Sequence, residues 1–182
     1  KLRYKITKSD AKKGTVTLYR AKKSVTKATI PATVMYQGYK FKVTSIGNNA
    51  FKGCKKLKTV KLGKNVKSVG KSAFYGCKKL SSVSLDAKLT KIGDKAFAKC
   101  TAIKKLTIPK KVSRIGSKAF YGCKKLKTIT VKSSKLKKKT VGKSAFTQIN
   151  KKATIKVPKK KVKAYKTIFK SAGAAKSVKI KK

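Results

Sequence analysis

The sequence lacks the residues on which most enzyme and metal sites depend. It contains no histidine and no glutamate, and the only carboxylates among its 182 residues are Asp10, Asp86 and Asp94. General acid–base catalysis and metal binding draw on histidine and on clustered carboxylates. We therefore expect a protein that is not an enzyme and that carries no cofactor and no metal.

The sequence also lacks a long apolar run, because lysine interrupts every hydrophobic stretch within a few positions. A transmembrane helix needs about 18 or more consecutive apolar residues, so none is expected. Hydrophobic residues still make up 40% of the chain, which is too many for a disordered polybasic tail. The chain should fold, and its start at Lys1 in place of Met suggests a processed or trimmed protein.

What the sequence does contain is an internal repeat. The pattern Gly-x-x-Ala-Phe begins at Gly47, Gly70, Gly93, Gly116 and Gly142, which gives spacings of 23, 23, 23 and 26. A cysteine follows three residues after each of the first four phenylalanines, at Cys54, Cys77, Cys100 and Cys123. An apolar alternation of the form Leu-x-x-Val-x-Leu then predicts one short strand per unit.

A unit of this length cannot bury its own apolar face, so successive units must stack into a solenoid. Equal spacing places each strand beside its counterpart in a parallel sheet, about 4.8 Å from the next. The five repeat phenylalanines are then expected to form an internal column beside short helical or 3-10 turns. We expect Gly53, Gly76 and Gly122 to adopt positive φ, and the third turn, with Lys99 in that position, to bend differently.

Both ends depart from the repeat. Tyr4, Ile6, Val16 and Leu18 alternate around Gly14 and predict a hairpin, and Met35–Phe41 predicts an inserted hairpin tip. Near the other end, Val162, Tyr165, Ile168 and Phe169 have helical spacing, and Gly173 follows as a stop signal. We therefore predict a single domain with an N-terminal hairpin cap over 1–27, a solenoid of about five 23-residue units over 28–158, and a C-terminal helical cap over 159–182.

The repeat unit Leu-x-x-Ile-x-Ile-Pro-x-x-Val-x-x-Ile-Gly-x-x-Ala-Phe-x-x-Cys resembles the BspA-type leucine-rich repeat of bacterial surface and secreted proteins. The resemblance covers residues 30–158, about 70% of the chain. It implies a leucine-rich repeat right-handed solenoid, β-rich with a parallel sheet. It also implies a secreted or cell-surface location and an adhesive or ligand-binding role without catalysis.

Other chemistry is disfavoured by the repeat geometry. Four cysteines spread over successive turns cannot surround one zinc ion, and parallel side-chain vectors do not favour disulfides. A nucleophilic cysteine would need a nearby base, and no histidine is present. Asp86 and Asp94 could form an acid pair, but neighbouring lysines favour solvated or capping carboxylates. We expect buried, inert thiols.

The charge is extreme: 54 lysine and arginine residues against 3 acidic residues give 54 − 3 = +51. In a solenoid, residues at the same position of successive repeat units lie next to each other. The sequence therefore predicts exposed lysine rows, which consist of Lys55, Lys56, Lys78, Lys79, Lys124 and Lys125. One interpretation is that lysine only solubilises an apolar stack. The absence of glutamate, which would solubilise equally well without repulsion, favours a functional polycation.

The expected partner is an anionic cell-wall polymer, an acidic glycan or an acidic surface protein, bound by a monomer. Arginine, which suits bidentate recognition of bases and phosphates, occurs only at positions 3, 20 and 114. Sequence-specific nucleic-acid binding is therefore not expected. Nonspecific binding to any dense polyanion remains open.

The outward strand positions form a second candidate surface. In leucine-rich repeats the strand face commonly meets the ligand, so the resemblance makes it the default binding face. The alternative is a ladder of β-branched residues that only stabilises the sheet. The outward residues are Thr59, Lys61, Ser82, Ser84, Lys105, Thr107, Thr128, Thr130, Thr154 and Lys156.

Overall fold

The repeat folds into a β-solenoid of about seven turns with parallel sheets. The structure, a computed structural model, describes residues 2–10, 13–86 and 88–182. Lys1, where the predicted N-terminal cap begins, lies outside the described residues. In chain order the strands are β1 (Leu2–Lys8), β2 (Thr15–Ala21), β3 (Lys27–Thr29), β4 (Thr33–Tyr36), β5 (Tyr39–Ile46), β6 (Thr59–Lys61), β7 (Ser68–Val69), β8 (Ser82–Ser84), β9 (Lys91–Ile92), β10 (Lys105–Ile108), β11 (Arg114–Ile115), β12 (Thr128–Val131), β13 (Thr154–Lys156) and β14 (Lys179–Lys181). One α-helix, α1 (Val162–Ser171), lies near the C-terminus, and 3-10 turns cover Lys138–Thr140 and Lys159–Lys161.

Each complete turn contributes one strand to each of two parallel stacks. The first stack contains β3, β6 and β8 in one sheet, and β10, β12, β13 and β14 in another. The second stack runs β2, β5, β7, β9 and β11, with a single bridge from Ile115 to Val141 at its end. Strands of neighbouring turns pair at the spacing of the sequence repeat: Thr59 lies opposite Ser82, 23 residues later, and Thr128 lies opposite Thr154, 26 residues later.

The core is a column of aromatic rings, as predicted. Phe51, Phe74, Phe97, Phe120 and Phe146 are fully buried, and their neighbouring ring centroids lie 4.9, 5.0, 5.5 and 5.4 Å apart. Offset stacking at this distance is favourable for aromatic pairs, so each turn covers the ring of the one before it. Phe169 of the capping helix closes the column edge-on at 4.9 Å from Phe146.

The predicted hairpins and caps are present. β1 and β2 form the N-terminal antiparallel hairpin, and β4 and β5 form the inserted one around Gln37 and Gly38. The helix α1 ends before Gly173, whose φ is +88°. The strand β14, which pairs with β13, was not predicted. Its signal in the sequence was the short alternation of Val178 and Ile180, both of which are buried.

The prediction for Lys99 was wrong. Gly53, Gly76 and Gly122 have the expected positive φ, at 70°, 71° and 71°, but Lys99 adopts the same conformation at 60°. The hydrogen bond from Lys99 N to Tyr121 O, 2.7 Å, matches the bond from Gly76 N to Ala98 O, 2.9 Å. Bonding between turns therefore imposes the left-handed conformation even on a residue that disfavours it.

Candidate binding surfaces

The strand face carries two columns of polar side chains. The first contains Thr59 and Ser82, then Lys105, Thr128 and Thr154; the second contains Lys61 and Ser84, then Thr107, Thr130 and Lys156. Six of these residues are exposed, and Thr59, Thr128, Thr130 and Thr154 are half-buried. The structure thus aligns the predicted residues in register within each of the two sheets, on the side of the strands opposite buried residues such as Val60 and Ile129.

The columns are longer than predicted and are interrupted once. At one end Lys27 and Thr29 of β3 pair with Thr59 and Lys61, and at the other end Lys179 and Lys181 of β14 extend both columns. No strand pairing joins β8 to β10 within the described part of the chain. Lysine therefore lies at or next to both ends of each column, and the residues between carry hydroxyl groups except for Lys105.

The predicted lysine rows lie on the turns that follow the core cysteines. Lys55, Lys56, Lys78, Lys79, Lys124 and Lys125 are all exposed. Cys54, Cys77 and Cys123 are buried at matching places of their turns, so the lysine pairs that follow them occupy equivalent positions of three turns. The third turn has Thr101 and Ala102 at this position, which leaves a gap in the rows.

Carboxylates do little to balance this charge. Within the described ranges the one salt bridge joins Lys8 Nζ to Asp10 Oδ2 at 3.4 Å. Asp94 Oδ1 accepts the Ser117 N–H at 2.9 Å, and Asp86 Oδ1 accepts the Lys88 N–H at 3.0 Å, which agrees with the predicted capping role. Two lysine charges about 5–10 Å apart repel by about 0.4–0.8 kcal/mol in water, so the rows store a cumulative repulsion.

The cysteines form a buried column of free thiols, as predicted. The Sγ atoms of Cys77, Cys100 and Cys123 donate to the carbonyls of Phe51, Phe74 and Phe97 at 3.1, 3.0 and 3.2 Å. Burial raises the pKa of Cys123 to about 12, so this thiol stays protonated at neutral pH. The thiolate is the reactive form of cysteine. All four cysteines are buried, so solvent does not reach their thiols.

Across the residues with described positions, no three His, Cys, Asp or Glu side chains come together as metal ligands. The same part of the chain has no helix that is both long and apolar enough to span a bilayer.

The sequence matches the model of the BspA-type leucine-rich repeat region over residues 19–140, in six copies. The chain belongs to the BspA-type leucine-rich repeat family. The match begins within β2 and ends before the last Gly-x-x-Ala-Phe unit, at Gly142. Proteins of this fold and family are typically non-enzymatic, and the relatives indicate a binding or structural repeat module.

Solved structures of leucine-rich repeat proteins are similar to this chain. A leucine-rich repeat protein of T. pallidum is 25% identical with a TM-score of 0.72, over 86% of this chain and 69% of that chain. One from Bacteroides capillosus ATCC 29799 is 34% identical with a TM-score of 0.57, over 64% of this chain and 86% of its own. A leucine-rich cell surface protein of Faecalibacterium prausnitzii A2-165 is 21% identical, with a TM-score of 0.50 over 85% of this chain and 52% of that chain, and shares the fold alone. No curated protein matches the sequence.

Proposed function

We propose that this chain is an exported binding module, without enzymatic activity, that attaches to an anionic polymer of the bacterial wall, an acidic glycan or an acidic surface protein. The observation that carries the proposal is that the lysine pairs at equivalent positions of three turns are all exposed, while one salt bridge is formed within the described residues. A rigid row of like charges concentrates positive potential, and a flexible anionic chain can follow it.

The physical gain comes from two sources. A polyanion bound along the rows releases its condensed counterions, as nucleic acids do when lysines neutralise their phosphates. It also relieves the repulsion among the lysines, so that binding stabilises the fold. The surface location is supported by the family and by the cell surface protein of F. prausnitzii, which shares the fold.

The test compares two variants of equal charge. In the first, the six lysines of the rows are replaced by glutamine. In the second, six exposed lysines at the C-terminal end, Lys159, Lys160, Lys163, Lys166, Lys170 and Lys176, are replaced in the same way. Each variant has a formal charge of 51 − 6 = +45, so net charge is matched.

Retention on immobilised teichoic acid and on heparin is measured between about 0.1 and 1 M NaCl. We expect the affinity of the wild type to fall steeply with salt, and the row variant to bind roughly tenfold more weakly than the matched variant, a difference of about 1.4 kcal/mol. Equal binding by the two variants, or a flat salt response of the wild type, contradicts the proposal. Binding no better than that of a scrambled chain of equal charge favours a structural spacer in which lysine serves solubility.

The strand face supports a second candidate, recognition of a protein through the hydroxyl columns. Its supporting observation is the in-register alignment of Ser and Thr hydroxyls bordered by lysines. Replacing Thr59, Ser82, Thr107 and Thr130 with tyrosine keeps the charge and fills the face. Loss of partner binding in this variant supports the strand face as the site, whereas unchanged binding assigns it to the lysine rows.

A further inference from the structure

A cleft of about 890 Å³ opens at the N-terminal end of the solenoid, and none of the row lysines lines it. Its walls come from the first hairpin and from the turn that follows β5. The positively charged residues that line it are Arg3, Arg20, Lys22, Lys23 and Lys52, and no carboxylate lines it. The volume falls within the range of small-molecule sites, about 300–1,000 Å³.

Two of the three arginines of the chain lie in this cleft. Arg3 of β1 and Arg20 of β2 are direct partners across the antiparallel hairpin, and both are exposed. Like charges directly opposite each other destabilise a strand pair. The hairpin therefore holds two guanidinium groups side by side at a cost that a bound anion would remove.

Arginine is the right residue type for such an anion. Its planar fork donates two parallel hydrogen bonds to an oxyanion, whereas a lysine ammonium acts as a point charge. The remaining 51 basic residues of the chain are lysines, and the third arginine, Arg114, lies in a different groove along the second stack. The cleft thus differs from the lysine-rich surface in the type of hydrogen-bond donor that it offers.

Side-chain hydrogen bonds hold two of the residues that line the cleft. Lys23 Nζ donates to the carbonyl of Lys52, which ties the hairpin side of the cleft to the next turn. Asn48, which lines both this cleft and the groove along the second stack, is held by the hydrogen bond that its Oδ1 accepts from the Lys71 N–H at 2.8 Å. Tyr19, 43% exposed, adds an aromatic surface beside the arginines.

We propose that this cleft is a discrete site for one tetrahedral oxyanion, the phosphate or sulfate group of a larger ester, held by Arg3 and Arg20. The inference goes beyond the proposed function, because it concerns a single saturable site and does not depend on the lysine rows. The cleft volume beyond the oxyanion is taken by the rest of the ester, against Tyr19.

The test is a titration of the protein with inorganic phosphate and with sulfate, followed by ¹H–¹⁵N chemical shifts at about 0.15 M NaCl. We expect saturable one-to-one binding, with shifts centred on residues 3, 19–23 and 48–52. A double variant, Arg3→Lys with Arg20→Lys, keeps the net charge and is expected to bind at least about tenfold more weakly. The matched control Arg114→Lys is expected to bind as the wild type does.

Equal binding by the double variant and the wild type overturns the site, and so do wild-type shifts that are diffuse and do not saturate. The wild-type shift map decides the question even if the double variant folds poorly. Glucose 6-phosphate and glucose 6-sulfate then distinguish the two sources of the oxyanion. Tighter binding of either ester than of its free ion supports the site, and weaker binding of both overturns the ester assignment. The lysine-row variant should keep this titration unchanged while it loses polymer retention, so the two proposals fail independently.

Discussion

At the scale of single residues, each turn depends on two backbone requirements. One is the left-handed conformation, which Gly53, Gly76 and Gly122 supply and Lys99 tolerates. The other is close approach between turns: a Cβ on Gly116 would lie 2.4 Å from Asp94 N and 2.5 Å from Gly93 C. The first requirement costs a side chain about 1–2 kcal/mol, whereas the second excludes a side chain unless the backbone moves.

This difference predicts unequal costs for the same substitution at two glycines. Gly116→Ala should lower the free energy of unfolding by about 3 kcal/mol, because its Cβ overlaps backbone atoms that cannot move alone. Gly76→Ala should cost about 1 kcal/mol, because φ is +71° but nothing lies within 4 Å of the added Cβ. Urea unfolding of both variants measures the difference. Equal losses would contradict the assignment of Gly116 to inter-turn contact.

At the scale of elements, the ends of the stack must cover the last apolar rings. The helix α1 does this with Phe169 against Phe146 and with Tyr165, which is 1% exposed. The Tyr165 hydroxyl donates to Ser133 O at 2.9 Å and accepts the Leu136 N–H at 3.2 Å. It thereby joins the cap to the segment that carries the three extra residues of the last repeat.

Tyr165→Phe should therefore lower the free energy of unfolding by about 2 kcal/mol, since it leaves a buried backbone N–H and C=O without these bonds. Tyr36→Phe is the matched control, because Tyr36 is 56% exposed at the hairpin tip and should change stability by less than about 0.5 kcal/mol. Thermal and urea unfolding give both values. If the two variants lose the same stability, the hydroxyl does not hold the cap.

At the scale of the whole molecule, self-repulsion opposes folding. The chain carries a formal charge of +51, and within the described residues one salt bridge pairs a lysine with a carboxylate. Some relief is local: the Nζ atoms of Lys52 and Lys99 lie 6.0 and 5.7 Å from the ring centroid of Tyr75. Such cation–π contacts contribute about 0.5–1 kcal/mol each at exposed sites, which leaves most of the charge unbalanced.

The stability should accordingly rise with ionic strength. Between about 0.1 and 1 M NaCl the Debye length falls from about 10 to 3 Å, which screens the lysine pairs. We expect the melting temperature to increase by several degrees, at about 2–4 °C per kcal/mol for a domain of this size. The variant in which the six row lysines are replaced by glutamine should show a smaller increase. Circular dichroism measures both melting temperatures. A melting temperature that does not change with salt would mean that the repulsion is not significant in the folded state.

The sequence by itself determined the solenoid, the phenylalanine and cysteine columns, and the pairing of equivalent strand-face residues within each sheet. It could do so because a fixed spacing of 23 places equivalent residues side by side once any two units stack. The pairing of Thr59 with Ser82, for example, could be predicted from their spacing of 23 residues alone. The hairpins and the capping helix followed from local alternation and helical spacing.

Only the tertiary structure decided the features that join segments outside the period. It brought Arg3, Arg20 and Asn48 to one cleft, added β14 to the sheet, interrupted the first stack between β8 and β10, and forced Lys99 into the glycine conformation. The physical reason is that these outcomes depend on hydrogen bonds and packing between non-equivalent segments. The repeat specifies which equivalent residues of successive units lie next to each other. The contacts between non-equivalent segments are determined only when the chain folds.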